Sequence, residues 1–170
     1  MYKQDGKYNG AYQHPFNRDA KAMDIKPIMR RVELFRGLTD EQLQQLIDIT
    51  EVEQFHKGAA IVTQGSIGAK MYIVGDGQVE VQVRDSDGTT YAAIYLGEGQ
   101  VFGEMALVDQ GKRSATVLAV DNNTVIYAMP SDKFNALCQR DTQIGFLMMR
   151  NIARDLSFKL RHRDFDPSGS

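Results

Sequence analysis

Two side chains in the stretch FGEMALVDQGKRSATV, residues 102–117, have the types and spacing to do binding chemistry. They are Glu104 and Arg113, nine positions apart. Between them lie a small apolar run and the turn Asp109-Gln110-Gly111. Gly103 lets the backbone turn tightly and lets a ligand approach it closely. The run from Glu104 to Val108 favours a short helical turn, whose first N–H groups and partial positive charge suit an anion. Arg113 adds a planar fork matched to phosphate oxygens, and Ser114 adds a hydroxyl or a backbone donor. A carboxylate facing a phosphate would be repelled. Glu104 makes sense turned away from it, accepting hydrogen bonds from hydroxyls of the same ligand. A phosphate joined to a sugar meets both demands.

The segment resembles the phosphate-binding cassette of the cyclic nucleotide-binding domains, the family of protein kinase regulatory subunits, cyclic nucleotide-gated channels and catabolite activator-type receptors. The resemblance rests on Phe102-Gly103-Glu104 and Arg113-Ser114-Ala115, together with FHKGAAIVTQG (55–65), MYIVGDGQVEV (71–81) and LGEGQVFGE (96–104). It covers residues 28–160, and the nine-residue spacing is closer to the kinase and channel branches. Lys112 stands where many members have proline. The resemblance implies that Glu104 takes the ribose 2′-hydroxyl and Arg113 the cyclic phosphate. Gly103, Met105, Ala106, Ser114 and Ala115 complete the ligand-binding set, the anion site being closed by backbone amides near Met105, Ala106 and Ser114. It implies cAMP as ligand, with cGMP as the alternative because Ser114 gives a mixed signal. It also implies that a late-helix residue covers the base. Arg154 and Phe158, four apart on one helix face, are the candidates for that lid.

The elements that must position these residues follow from periodicity. Residues 1–27 show no sustained period and read as a flexible arm with a short helix near 17–24. Thr39 or Asp40 can cap a helix carrying Leu43, Leu46 and Ile47 on one face, after a turn at Leu34, Phe35 and Leu38. From Val52 the pattern changes to short glycine-punctuated strands: AIVTQG, MYIVGDG, QVEVQV, TYAAIYLG, ATVLAV and TVIYAM. In QVEVQV, Val79, Val81 and Val83 are expected inward and Glu80, Gln82 and Arg84 outward. Asp85-Ser86-Asp87-Gly88 reads as a hairpin turn. Ser131 is expected to cap a first C-terminal helix and Asp141 or Thr142 a second. The second should pack through Ile144, Leu147/Met148, Ile152, Leu156 and Leu160. The fold class is α+β, mainly β: an antiparallel β-roll or jelly roll flanked by an N-terminal helical segment and two C-terminal helices. The domain is placed at 28–163, with helices over 28–51, the roll over 52–130, helices over 131–163 and a polar tail at 164–170.

Composition bounds the rest. The 170 residues are 42% hydrophobic and 25% charged, ordinary for a globular domain. Net charge is −2, but residues 1–36 carry +4, residues 37–149 carry −8 and residues 150–170 carry +2. An acidic body repels nucleic-acid phosphate at long range, so its anion must be captured locally and no nucleic acid is expected as partner. The chain stops too soon after Leu160 for a helix-turn-helix. No apolar run reaches membrane-spanning length, there is no signal peptide, and the single Cys138 fits a reducing compartment, so the expected location is cytoplasmic without membrane insertion. His14, His56 and His162 lack ligand spacing, so no metal is expected. No nucleophile–base pair or P-loop emerges, so no catalytic residue, no enzyme activity and no cofactor beyond the ligand are predicted. The partners are then a cyclic nucleotide and an unidentified effector protein, with homodimerisation open. The alternatives are a ligand-free interaction module of the same fold, or the ligand-binding fragment of a larger channel or kinase.

Overall fold

A computed structural model describes residues 24–163. Most of the N-terminal arm, its short helix and the polar tail lie outside the described residues. The folded body reaches back before residue 28. Helix α1 (Lys26–Arg31) has proline in its first turn, and Ile25 is buried against the core. A 3-10 turn, Glu33–Phe35, leads to α2 (Asp40–Asp48). Of the two cap candidates Thr39 is the cap. Its hydroxyl accepts from the Gln42 amide at 3.2 Å while the Gln42 side chain accepts from the Thr39 amide at 3.0 Å, satisfying two end donors reciprocally.

Eight strands follow: β1 (Glu51–Phe55), β2 (Ala60–Val62), β3 (Lys70–Asp76), β4 (Val79–Arg84), β5 (Thr90–Leu96), β6 (Val101–Phe102), β7 (Thr116–Ala119) and β8 (Thr124–Pro130). They form two four-stranded antiparallel sheets, ordered β1-β8-β3-β6 and β2-β7-β4-β5. The expected roll is present. β1 was not among the strands expected from the sequence. Its Glu51 and Glu53 break the apolar signal, and both are matched by Lys70 on β3, at 3.0 and 2.7 Å.

β3 is buried from 71 to 75 and β8 from 126 to 130, because both serve two cores. Tyr72, Val74, Ile126 and Ala128 point into the roll with Val79, Leu96, Phe102 and Val117. Met71, Ile73, Tyr127 and Met129 point the other way, against α1, α2 and the C-terminal helices. β4 departs from the expected alternation. Val79 is buried, but Val81 and Val83 are only half-buried, as are Glu80 and Gln82, and a register shift falls at Val81/Gln82. The shift inserts Ala93 as an extra residue on β5, while β4 stays in unbroken register with β7.

Helix α3 (Ser131–Arg140) starts at Ser131, which lies inside the helix rather than at its cap. Its hydroxyl donates instead to the Ala106 carbonyl at 2.8 Å. Asp141 caps α4 (Thr142–Arg163), accepting from the amides of Gln143 and Ile144. Ile144, Leu147, Met148 and Ile152 are buried, as expected of the stripe, and Leu156 packs half-buried beside them. Leu160 does not join them: it is 62% exposed, because the last turns of α4 extend past the core. The first half of α4 is fixed by Asn151, whose amide donates to the carbonyls of Leu34 and Arg36, both at 2.9 Å. Gly145 lets α4 approach α3 closely at Cys138, which is half-buried and packed against the core.

Candidate functional site

The site is built where β6 ends. Gly103 adopts φ +70°, the left-handed region open to glycine, and starts the 3-10 turn Glu104–Leu107. Ala106 and Leu107 are buried and hold this turn to the body, while Met105 is 42% exposed. The Ala106 amide donates to the Gly103 carbonyl at 3.1 Å, and its carbonyl takes the Ser131 hydroxyl. The turn is therefore tied to the start of α3. Downstream, residues 111–113 are zipped onto 65–68. The Gly68 amide donates to Gly111 O, the Arg113 amide to Ser66 O, and the Gly65 amide to Arg113 O, all at 2.8–2.9 Å. Arg113 thus leaves a backbone held from both sides.

Its guanidinium is equally constrained. Nη2 donates to Lys70 O at 2.6 Å and Nη1 to Gly103 O at 3.3 Å. Two of the five guanidinium donors go to backbone carbonyls and the Tyr72 hydroxyl lies within reach of the group, which leaves donors for an anion. The group lies 5.4 Å from the Tyr72 ring centroid, and Tyr72 stacks on Phe102 at 5.0 Å. Burial raises the Tyr72 phenol above its ordinary value, with the nearby Arg113 charge opposing that shift. Glycines border the guanidinium on two sides. A Cβ on Gly103 would collide with Nη1, and a Cβ on Gly68 would stand 3.1 Å from Cζ.

Glu104 follows Gly103 directly, so the acid and the base expected to act together are brought to one place. Its side chain is 16% exposed, and Oε1 accepts from Lys159 Nζ at 3.1 Å. Lys159 also reaches Asp155 Oδ2 at 2.6 Å, one helical turn earlier on α4. Partial burial acts to lower the Lys159 pKa, but the Asp155 hydrogen bond and the Glu104 charge outweigh it and raise it.

Of the other residues expected at the site, Gly103 touches Arg113, Ala106 is buried beneath the turn, Met105 and Ser114 are exposed, and Ala115 is half-buried. Arg154 and Phe158 are not brought to the cassette. Both are exposed and line a shallow hollow walled by α4 residues alone, where the Phe158 and His162 rings lie tilted against each other with centroids 3.9 Å apart. The face of α4 that meets the cassette is the one bearing Lys159. Tyr72, Gly68, Lys70 and Lys159 were not singled out from the sequence. Of these only Tyr72 lay inside a quoted motif, MYIVGDGQVEV. Among the described residues no group of three or more His, Cys, Asp or Glu could hold a metal ion.

An antiparallel roll with helices on one side sets a held arginine beside an acid, an arrangement whose chemistry suits a phosphorylated sugar. The family model described as cyclic nucleotide-binding domain matches residues 52–141, and the chain belongs to that family. It is similar to the crystal structure of the Thermus thermophilus catabolite activator protein, with TM-score 0.70 and 31% identity over 79% of this chain and 61% of that one. It is 30% identical to human cGMP-dependent protein kinase 2 over 73% of this chain and 17% of the kinase. The regulatory domain of Toxoplasma gondii PKA, solved with cAMP, matches at TM-score 0.61 and 28% identity over 66% of this chain and 42% of that one. The chain thus spans less than two thirds of these relatives. No helix among the described residues is long and apolar enough to cross a membrane.

Proposed function

We propose that this domain is a receptor for cAMP, with cGMP the weaker ligand, and that it reports occupancy to an effector protein through α4. It is read as regulatory rather than catalytic, with no cofactor besides the nucleotide. The observation that carries this is the Arg113 guanidinium. It is held by two backbone carbonyls and an aromatic ring, with donors left over, next to the turn that begins at Glu104. A cation fixed in this way costs little reorganisation when a phosphate arrives. Glu104 is the acceptor for the ribose 2′-hydroxyl. The solved PKA regulatory domain with cAMP supports the choice of ligand class. The transmitting part is the end of α4, which touches the cassette through Lys159 while its first half is fixed to the body.

Nucleotide-free protein should be stabilised by about 2.7 kcal/mol when cAMP is present at about 100 times its dissociation constant. Thermal unfolding with and without cAMP, cGMP and 5′-AMP measures this. An unchanged melting temperature at millimolar cyclic nucleotide would falsify the receptor reading. Tighter binding of cGMP than cAMP would reverse the ligand preference.

A further inference from the structure

Glu104 presents a physical difficulty that its neighbours resolve. It is a mostly buried carboxylate beside a place meant for a phosphate, and two anions in one site repel. Its charge has a single side-chain counter-ion among the described residues, Lys159, at 3.1 Å from Oε1. That ammonium comes from α4, 55 positions away in the chain, and is steadied by Asp155 at 2.6 Å. The pairing uses Oε1 alone. A carboxylate accepts hydrogen bonds at both oxygens, so a ribose hydroxyl can bind Glu104 while Lys159 stays in place. An ammonium at this spot also sets a positive charge near an arriving anion.

From this we infer that Lys159 is a positioning residue for the ribose end of the site: it neutralises and orients Glu104, and the same contact carries the end of α4 onto the cassette. The inference rests on the cyclic nucleotide reading above. Its consequence is that ribose recognition and α4 placement are one event. A nucleotide that engages Glu104 strengthens the anchor of α4, and a loosened α4 weakens ribose recognition by the same factor, because coupling free energies are reciprocal.

Lys159→Gln removes the charge and keeps most of the side chain's length, at an exposed position where the fold does not depend on it. It should weaken cAMP binding by about two- to fivefold, the factor a half-exposed ion pair supports. Titration calorimetry with 2′-deoxy-cAMP should show a smaller loss, because that analogue does not engage Glu104 through the missing hydroxyl. Lys159→Arg should restore binding. In a Glu104→Gln background, the Lys159→Gln effect should disappear. A purely structural role for Lys159 would weaken both ligands equally and survive in that background. Tighter cAMP binding by Lys159→Gln would overturn the inference outright, since it would mean that the ammonium competes with the ribose. A separate arm needs no nucleotide: amide exchange over 153–162 in the free protein should quicken in Lys159→Gln and not in Lys159→Arg. Unchanged exchange would overturn the anchoring of α4. If wild type binds neither cAMP nor cGMP, the receptor reading fails and takes the ribose role with it, while the exchange arm still decides whether Lys159 holds α4.

Discussion

The two ends of the cassette are held in opposite ways. At the Arg113 end the guanidinium is fixed by Lys70 O, Gly103 O and the Tyr72 ring, and its backbone is paired with residues 65–68. Every contact there comes from the roll itself. At the Glu104 end the carboxylate is held by one ammonium, 55% exposed, from the overhanging end of α4. A charge held by several rigid groups is preorganised, so binding at that end loses little entropy. A charge held by a single contact from a separate helix is adjustable. Under the proposed receptor reading, affinity belongs to the rigid end and communication to the adjustable one, because a ligand shifts a conformational equilibrium only through contacts that differ between the two states.

The largest expected effect is at the rigid end. Arg113→Ala should cost about 2–5 kcal/mol of cAMP binding, the penalty for removing one side of a desolvated charge pair. Calorimetry reads this directly. If the loss were no larger than that of Lys159→Gln, the contrast between the two ends would collapse.

Gly103→Ala tests whether rigidity requires that backbone. The new Cβ meets both a left-handed φ and the Arg113 Nη1. Strain of this kind costs about 1–3 kcal/mol, so the variant should melt earlier and bind cAMP more weakly. Unchanged affinity in a folded Gly103→Ala protein would show that the guanidinium has more freedom than its contacts imply.

Tyr72 gives the smallest effect and the sharpest one. Tyr72→Phe keeps the aromatic face under Arg113 and the stack on Phe102, and should bind cAMP nearly as well as wild type. Tyr72→Leu removes both, and should lose about 0.5–2 kcal/mol of binding, the range for a partly desolvated cation–π contact. Equal losses in the two variants would mean that the hydroxyl, rather than the ring, positions Arg113.

The sequence by itself determined what is local. Gly103, Glu104 and the short turn after them sit within a few residues, and the positive φ at Gly103 is the kind of demand that glycine announces. Arg113 was legible because nine residues and one turn return it to Gly103. The glycine-punctuated strands were legible as a roll, and the caps at Thr39 and Asp141 as helix starts. The tertiary structure decided what arrives from far along the chain. Lys70 and Tyr72 reach Arg113 across about 40 positions through the pairing of β3 with β6, which no spacing reveals. Ser131 was read as a cap because serine favours that place, yet its hydroxyl donates to the carbonyl of buried Ala106. β1 hid behind Glu51 and Glu53, whose lysine partner lies on another strand. The face of α4 was the hardest point. Each residue turns a helix by about 100°, so a one-residue difference in phase separates Phe158, facing outward, from Lys159, facing the cassette. The stripe Ile144 to Leu156 fixes the rotation of the packed half. What the overhanging half touches depends on where the roll places Glu104, and that is a property of the assembled fold.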